Sequence, residues 1–311
     1  MTNCINGFES ATEPTPAPVA EAAGQTAPSA LPGTDTGGGR SAFEDGGERM
    51  RLIVRAAATA SATEGVFVRR ARRYLVLEPQ YAGAAVVDYV VRSRDASGGG
   101  IGPSVSGAAL APDLSLPVLR THWDREQQSG ARREWRGARP PGFGDPDRLR
   151  LDNSVRLWTQ ALVDAQHWYR HLRSVSAANE GEWARIAART AGVFAQWSLR
   201  SADGHGPFAD VAAQLGISAR PMHAEPGPGA QGRRPDLRVT AYLLAQMSRD
   251  TPDPVQPQWL LLEQLMACTV VIAKAHRARR ELAHAAALAA VVTGTLDAAS
   301  HRMCESARGA R

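Results

Sequence analysis

Residues 259–303 read WLLLEQLMACTVVIAKAHRARRELAHAAALAAVVTGTLDAASHRM, with no proline and one glycine, Gly294. Taking every third and fourth residue picks out Leu261, Gln264, Cys268, Val271, Ala275, Ala278, Leu282, Ala285, Ala289, Val292, Leu296, Ala299 and Met303, an apolar seam interrupted only by Gln264. That spacing is one face of an α-helix. The stretch therefore predicts a single long helix with Arg277, Arg279, Arg280 and Glu281 on its wet side and a dry side that needs partners.

Partners for that seam are found upstream. Asp152, Asn153 and Ser154 offer three capping residues, followed at helical spacing by Val155, Trp158, Leu162, Ala165, Tyr169 and Leu172. Asn179 with Glu182 three residues on has the form of a capping box, and Trp183, Ile186, Thr190, Val193 and Trp197 continue it as a second seam. Pro207 opens a shorter helix stopped by Gly216, and Pro235 opens another carrying Leu237, Val239, Leu243, Leu244 and Met247. The fold class expected is mainly α: a C-terminal bundle of about five helices over 151–305, the last one long, with Trp158, Trp183, Trp197 and Trp259 in its core and a short tail over 306–311.

The N-terminal half reads differently. Residues 1–47 are rich in Ala, Pro, Thr, Gly and Glu, with Phe8 and Phe43 their only aromatics, the composition of a disordered tail. Over 48–125, short runs at 51–55, 65–69, 74–78 and 85–92 carry the β-branched and aromatic residues of strands, so a small β or α+β segment is expected there. A Gly/Ser-rich stretch, GGGIGPSVSG over 98–107, reads as loop. It lacks the Gly-Lys-Ser/Thr ending of a Walker A loop, the helix-opening glycine of a dinucleotide fingerprint, and a Gly-x-Ser-x-Gly elbow. Residues 126–150 form a basic Pro/Gly linker.

Composition limits the function. Lys+Arg 36 against Asp+Glu 31 gives a formal net charge of +5, enough to attract polyanions without dominating the molecule. Lys274 is the only lysine, a skew that a GC-rich coding sequence also produces. Three cysteines, Cys4, Cys268 and Cys304, show no CxxC spacing, which argues against a disulfide framework or a structural zinc site and for a reducing, cytoplasmic location. No secretory leader is read, and the apolar windows around 259–273 and 282–296 contain Glu263, Gln264 and His284, so no membrane span is expected.

Two histidine stripes stand out. Asp164, His167 and His171 share one face of the first bundle helix, a donor set able to hold zinc with a further ligand, although a solvated face accounts for it as well. His276, Arg280 and His284, with Arg277 and Arg279 beside them, form a cationic stripe on the long helix that suits a phosphate backbone or an acidic partner. In the linker, Arg132, Arg133, Arg136 and Arg139 surround Trp135, pairing guanidinium groups with an indole that can stack on a base. No nucleophile, base and orienting acid come together in the sequence, and an enzyme would need loop residues such as His122, His223 or Asp236 to converge. No cofactor is implied. The reading that follows is a non-enzymatic helical interaction protein, associating with nucleic acid through arginine-rich surfaces; the alternative is an assembly protein pairing through its last helix.

Overall fold

The structure, a computed structural model, describes residues 42–94, 100–123, 131–137, 154–202, 204–220, 235–247 and 254–309. In chain order, helices α1 (Ala42–Thr59) and α2 (Glu64–Ala71) precede strands β1 (Leu75–Ala82), β2 (Ala85–Arg94) and β3 (Gly100–Ser106). Helix α3 (Gly107–Leu110), a 3-10 turn over Pro112–Leu114, α4 (Leu116–Arg120) and α5 (Ala131–Trp135) lead to α6 (Val155–Ser174), α7 (Glu180–Ala202) and α8 (Pro207–Ser218). The chain closes with α9 (Arg238–Gln246), α10 (Val255–Ala278) and α11 (Leu282–Gly309). The fold is mainly α, with one three-stranded antiparallel sheet in the order β1-β2-β3.

Helix α7 is the pillar of the fold, because the bulk of its surface is covered. Its buried residues run from Trp183 through Leu199 and include Arg189 and Thr190, positions a two-sided helix would give to solvent. Helices α1, α8, α9 and α10 all pack on it, and α6 and α11 join through α10. The α1–α7 crossing is close enough to need glycine: a Cβ on Gly192 would meet Thr59 Oγ1 at 1.9 Å and the Arg55 carbonyl at 2.9 Å. Trp158 and Trp197 lie 5.7 Å apart, and Trp197 lies 5.0 Å from Phe208, forming an aromatic core between α6, α7 and α8. Trp183 is buried as expected, whereas Trp259 is only partly so.

Several expectations are corrected. The runs at 51–55 and 65–69 are helical, within α1 and α2. Leu52, Ile53 and Val54 are all buried, so tertiary packing on several sides of α1 overrides the strand preference of Ile and Val. Thr63 caps α2 by accepting the Val66 amide at 3.1 Å. The runs at 74–78 and 85–92 are strands, and part of the Gly-rich stretch adds a third, pairing Val90 with Ser106 and Val91 with Val105. Residues 95–99 lie outside the described set. The tail expected over 1–47 lies outside it as far as residue 41, and 42–47 form the start of α1; the tail expected from 306 is still α11 as far as Gly309. Within the linker, α5 buries Ala131 and Trp135, and the rest of 126–150 beyond 131–137 lies outside the described residues.

Three buried charges fasten the N-terminal elements, and Arg189 ties them to the bundle. Arg55 on α1 donates twice to Asp113, at 3.1 and 3.0 Å, both side chains being almost wholly buried. Glu64 accepts two bonds from Arg120 at 2.8 Å and one from the Trp135 indole at 2.7 Å. Arg189 on α7 donates to the carbonyls of Ala58, Thr59 and His122 and lies 3.3 Å from Asp236. Removing one partner of such a pair leaves an uncompensated buried charge, at a cost of about 3–5 kcal/mol.

The last segment holds the correction that matters for function. It is two helices, not one, broken at Arg279-Arg280-Glu281. Arg280 has φ 64°, the left-handed region. The Glu281 amide donates to the His276 carbonyl at 2.9 Å and the Arg280 amide to the Arg277 carbonyl at 3.0 Å, the pair of bonds that closes a Schellman motif. Leu282, expected on the dry seam, is 64% exposed, and Ala278 and Ala289 of the same seam are exposed too, while Leu261, Cys268, Ala275 and Val292 are buried as the seam requires. Helix α10 is the one described helix long and apolar enough to cross a membrane by length and composition, and half of its most apolar window is buried inside the protein. Leu261, Leu265, Cys268 and Ile272 face that core, so it is a bundle helix and gives no clear membrane span.

Candidate functional site

The break between α10 and α11 gathers groups that a continuous helix would hold apart. Eight residues of α-helix rise about 12 Å, yet the rings of His276 and His284 have centroids 5.3 Å apart. Glu281 sits between them at the corner. Its carboxylate contacts His276 Nδ1 and accepts from Arg279, Nε to Oε1 at 2.9 Å and Nη2 to Oε2 at 3.0 Å. Arg279 is itself anchored by donating to the Ala177 carbonyl, at 3.2 Å, in the turn between α6 and α7. One donor atom from each of His276, Glu281 and His284 lies within 4.8 Å of the other two.

Electrostatics follow from the geometry. The guanidinium of Arg279 holds the Glu281 carboxyl down at about 2, so it is anionic at neutral pH. Burial lowers the pKa of His276, against the raising influence of its bond to Glu281, and the ring is neutral there. The cluster forms one wall of a cavity of about 180 Å³ between the start of α7, the end of α8 and the helix break, lined also by Glu180, Ala184, Ile217, Ser218 and Arg220. A smaller cavity of about 50 Å³ lies among α1, α2 and α7, with Ala56, Ala57 and Ala60 on its wall and Arg70 at its edge, stacked 5.0 Å over Tyr242.

The residues singled out in the sequence fall at separate places. Arg132, Arg133 and Arg136 are exposed on and just after α5, without an ion pair among the described residues; Arg139 lies outside them. Trp135 is 2% exposed, with its indole N–H given to Glu64, so it is a core residue and not a stacking platform. Arg277 and Arg280 are exposed, but His276 is 4% exposed and His284 half-buried, so the expected cationic stripe becomes an inward cluster with arginines at its rim.

The first stripe is dispersed. Asp164 accepts the amide and hydroxyl of Thr240, at 3.0 and 2.7 Å, tying α6 to α9; burial raises its pKa. His171 pairs with Glu182 at 2.9 Å, while His167 is exposed. Glu182 also takes two bonds from Arg185, and its amide is capped by Asn179 Oδ1 at 3.2 Å, so only half of the expected capping box forms. The His122 backbone carbonyl and the Asp236 carboxylate both lie against the guanidinium of Arg189, which is not a meeting of their side chains, and His223 lies outside the described residues. Burial pushes the Cys268 thiol up to about 12, removing it as a nucleophile near neutral pH.

Sequence reading places Arg279 beside the cationic stripe but misses Glu281, Ser218 and Arg220 as members of a site. Glu281 is legible only as an interval, His-x4-Glu-x2-His, which acquires meaning once the helix is known to bend. No family model, curated protein or solved structure matches this chain.

Proposed function

We propose that this chain is a helical interaction protein that associates with nucleic acid through its exposed arginines. The observation that carries the reading is the state of Arg132, Arg133 and Arg136: exposed, close together in sequence, and without a carboxylate partner among the described residues. Arg277 and Arg280 at the rim of the helix break are in the same condition. Guanidinium groups of this kind pair with phosphate. With Trp135 committed to the core, the contact is to the backbone and not to base faces, so binding is insensitive to sequence and steeply sensitive to salt.

Fluorescence anisotropy with labelled single- and double-stranded oligonucleotides across a salt series tests this. The reading expects a linear fall of log affinity with log salt. In a variant with Arg132, Arg133 and Arg136 all changed to Ala, the slope on duplex becomes shallower by about 0.9 for each phosphate that is no longer neutralised. Salt-indifferent binding, or an unchanged slope in the triple variant, contradicts it. A second reading, self-association through the last two helices, draws support from the exposure of Leu260 at 41% and Leu282 at 64%. A sedimentation coefficient that does not change with concentration removes that alternative.

A further inference from the structure

The break between α10 and α11 has a chemical composition that nucleic-acid association does not use. We propose that it is a binding site for a divalent transition metal, zinc by preference, with His276, Glu281 and His284 as protein ligands and a fourth position open to the adjoining cavity.

The donor set comes first. Two imidazoles and a carboxylate are ligands of borderline softness that suit zinc and its neighbours, and three protein ligands with one open position is the arrangement of reactive rather than purely structural zinc sites. Donor atoms within 4.8 Å of one another need only side-chain rotation to reach the roughly 3.3 Å separation set by tetrahedral bonds of about 2.0–2.1 Å.

His276 Nδ1 and the Glu281 carboxylate are already in contact, and Arg279 Nη2, 3.0 Å from Nδ1, also donates to Glu281 Oε2. A cation held by Nδ1 and the carboxylate takes the place of the proton now shared between them, the two atoms moving apart to the separation its bonds set. Arg279 stays in place through Glu281 Oε1 and the Ala177 carbonyl and orients the carboxylate as an outer partner.

The cavity supplies an independent observation. Ser218, on its wall, is 8% exposed, and its hydroxyl has no hydrogen-bond partner among the described residues. A buried hydroxyl in that state calls for a polar partner in the cavity, which a metal-bound or free water supplies. About 180 Å³ is room for several waters, one of which can be the fourth ligand. Arg279 with Glu281 alone would suffice to fasten the bend, and that fastening accounts for neither the second imidazole nor the unsatisfied Ser218.

The test is calorimetric titration of the full chain, after chelator treatment, with zinc chloride, together with the visible absorption of the protein after adding cobalt(II). The expected result is one zinc per chain, a cobalt spectrum of four-coordinate type without a thiolate charge-transfer band, and a loss of affinity of about tenfold to a hundredfold in His284→Ala and in Glu281→Gln. His167→Ala, an exposed imidazole on α6, is expected to bind as the unaltered chain does. Far-UV circular dichroism and thermal unfolding of the metal-free variants separate lost ligation from lost folding. His284 is half-buried, and Glu281→Gln keeps the shape of the side chain, so at least one variant reports on ligation. Absence of stoichiometric binding, or binding that survives both substitutions, overturns the proposal. Neither outcome depends on whether the arginines bind nucleic acid.

Discussion

Arg280 shows how one residue can decide an element. A non-glycine residue in the left-handed region costs roughly 1–2 kcal/mol and is held there only by surroundings that demand it. Here the demand comes from the ion pair of Arg279 with Glu281, the anchor on Ala177 and the packing of α11 on α8 and α10. His122 carries a residue-scale prediction. By surface area it is half-covered, yet its neighbours enclose the ring closely enough that desolvation pushes its pKa well below the usual imidazole range, with Arg189 and Arg185 acting in the same direction. The folded state therefore binds fewer protons than the unfolded state, so the contribution is fully present above about pH 6.5 and is lost as pH falls below that value. Urea unfolding at successive pH values should show stability declining below pH 6.5, at up to about 1.4 kcal/mol per unit from this residue, and declining less in His122→Asn. An identical pH dependence in the variant would refute this assignment.

At the scale of elements, legibility followed the source of each element's stability. Helices α6 to α9 were readable because capping residues and a one-sided apolar seam are local signals, as Asn179 and the row from Trp183 to Trp197 illustrate. The run at 51–55 reads as a strand because Leu52, Ile53 and Val54 stand together as consecutive apolar, partly β-branched residues; in α1 all three are buried, and tertiary packing outweighs that local preference. The bend after α10 left no mark because its left-handed position is occupied by arginine, where the expected punctuation is glycine. Trp135 reads as a surface residue because it stands within a basic run, Arg132, Arg133, Arg136 and Arg139, yet at this short helix the indole turns inward to Glu64. The α1–α7 crossing is the element pairing most open to test. Gly192→Ala places a methyl group within 1.9 Å of Thr59 Oγ1, so the two helices must separate, and a loss of at least about 1–3 kcal/mol in denaturant unfolding is expected. A variant as stable as the parent would show that α1 does not lie against α7 at this glycine.

For the whole molecule, the consequence is a division of labour within one compact unit, Arg40–Arg311. Ion pairs at Asp113 and Glu64 fasten the N-terminal elements to one another, and Arg189 of α7 donates to the Ala58, Thr59 and His122 carbonyls, so through α1 those elements share the core of α7. The candidate site arises from that arrangement: α7 and α8 supply the cavity wall, and the chain folding back after α10 supplies the ligands. Both the bundle's closure and the metal cluster depend on that fold-back. Pulsed electron resonance between nitroxides at Val270→Cys and Ala290→Cys, both exposed positions, with Cys4, Cys268 and Cys304 replaced, measures it most directly. A continuous helix would separate these positions by about 30 Å of axis. The bent segment predicts a distribution centred well below that distance, and a single peak at or beyond it would contradict both the break at Arg280 and the cluster built on it.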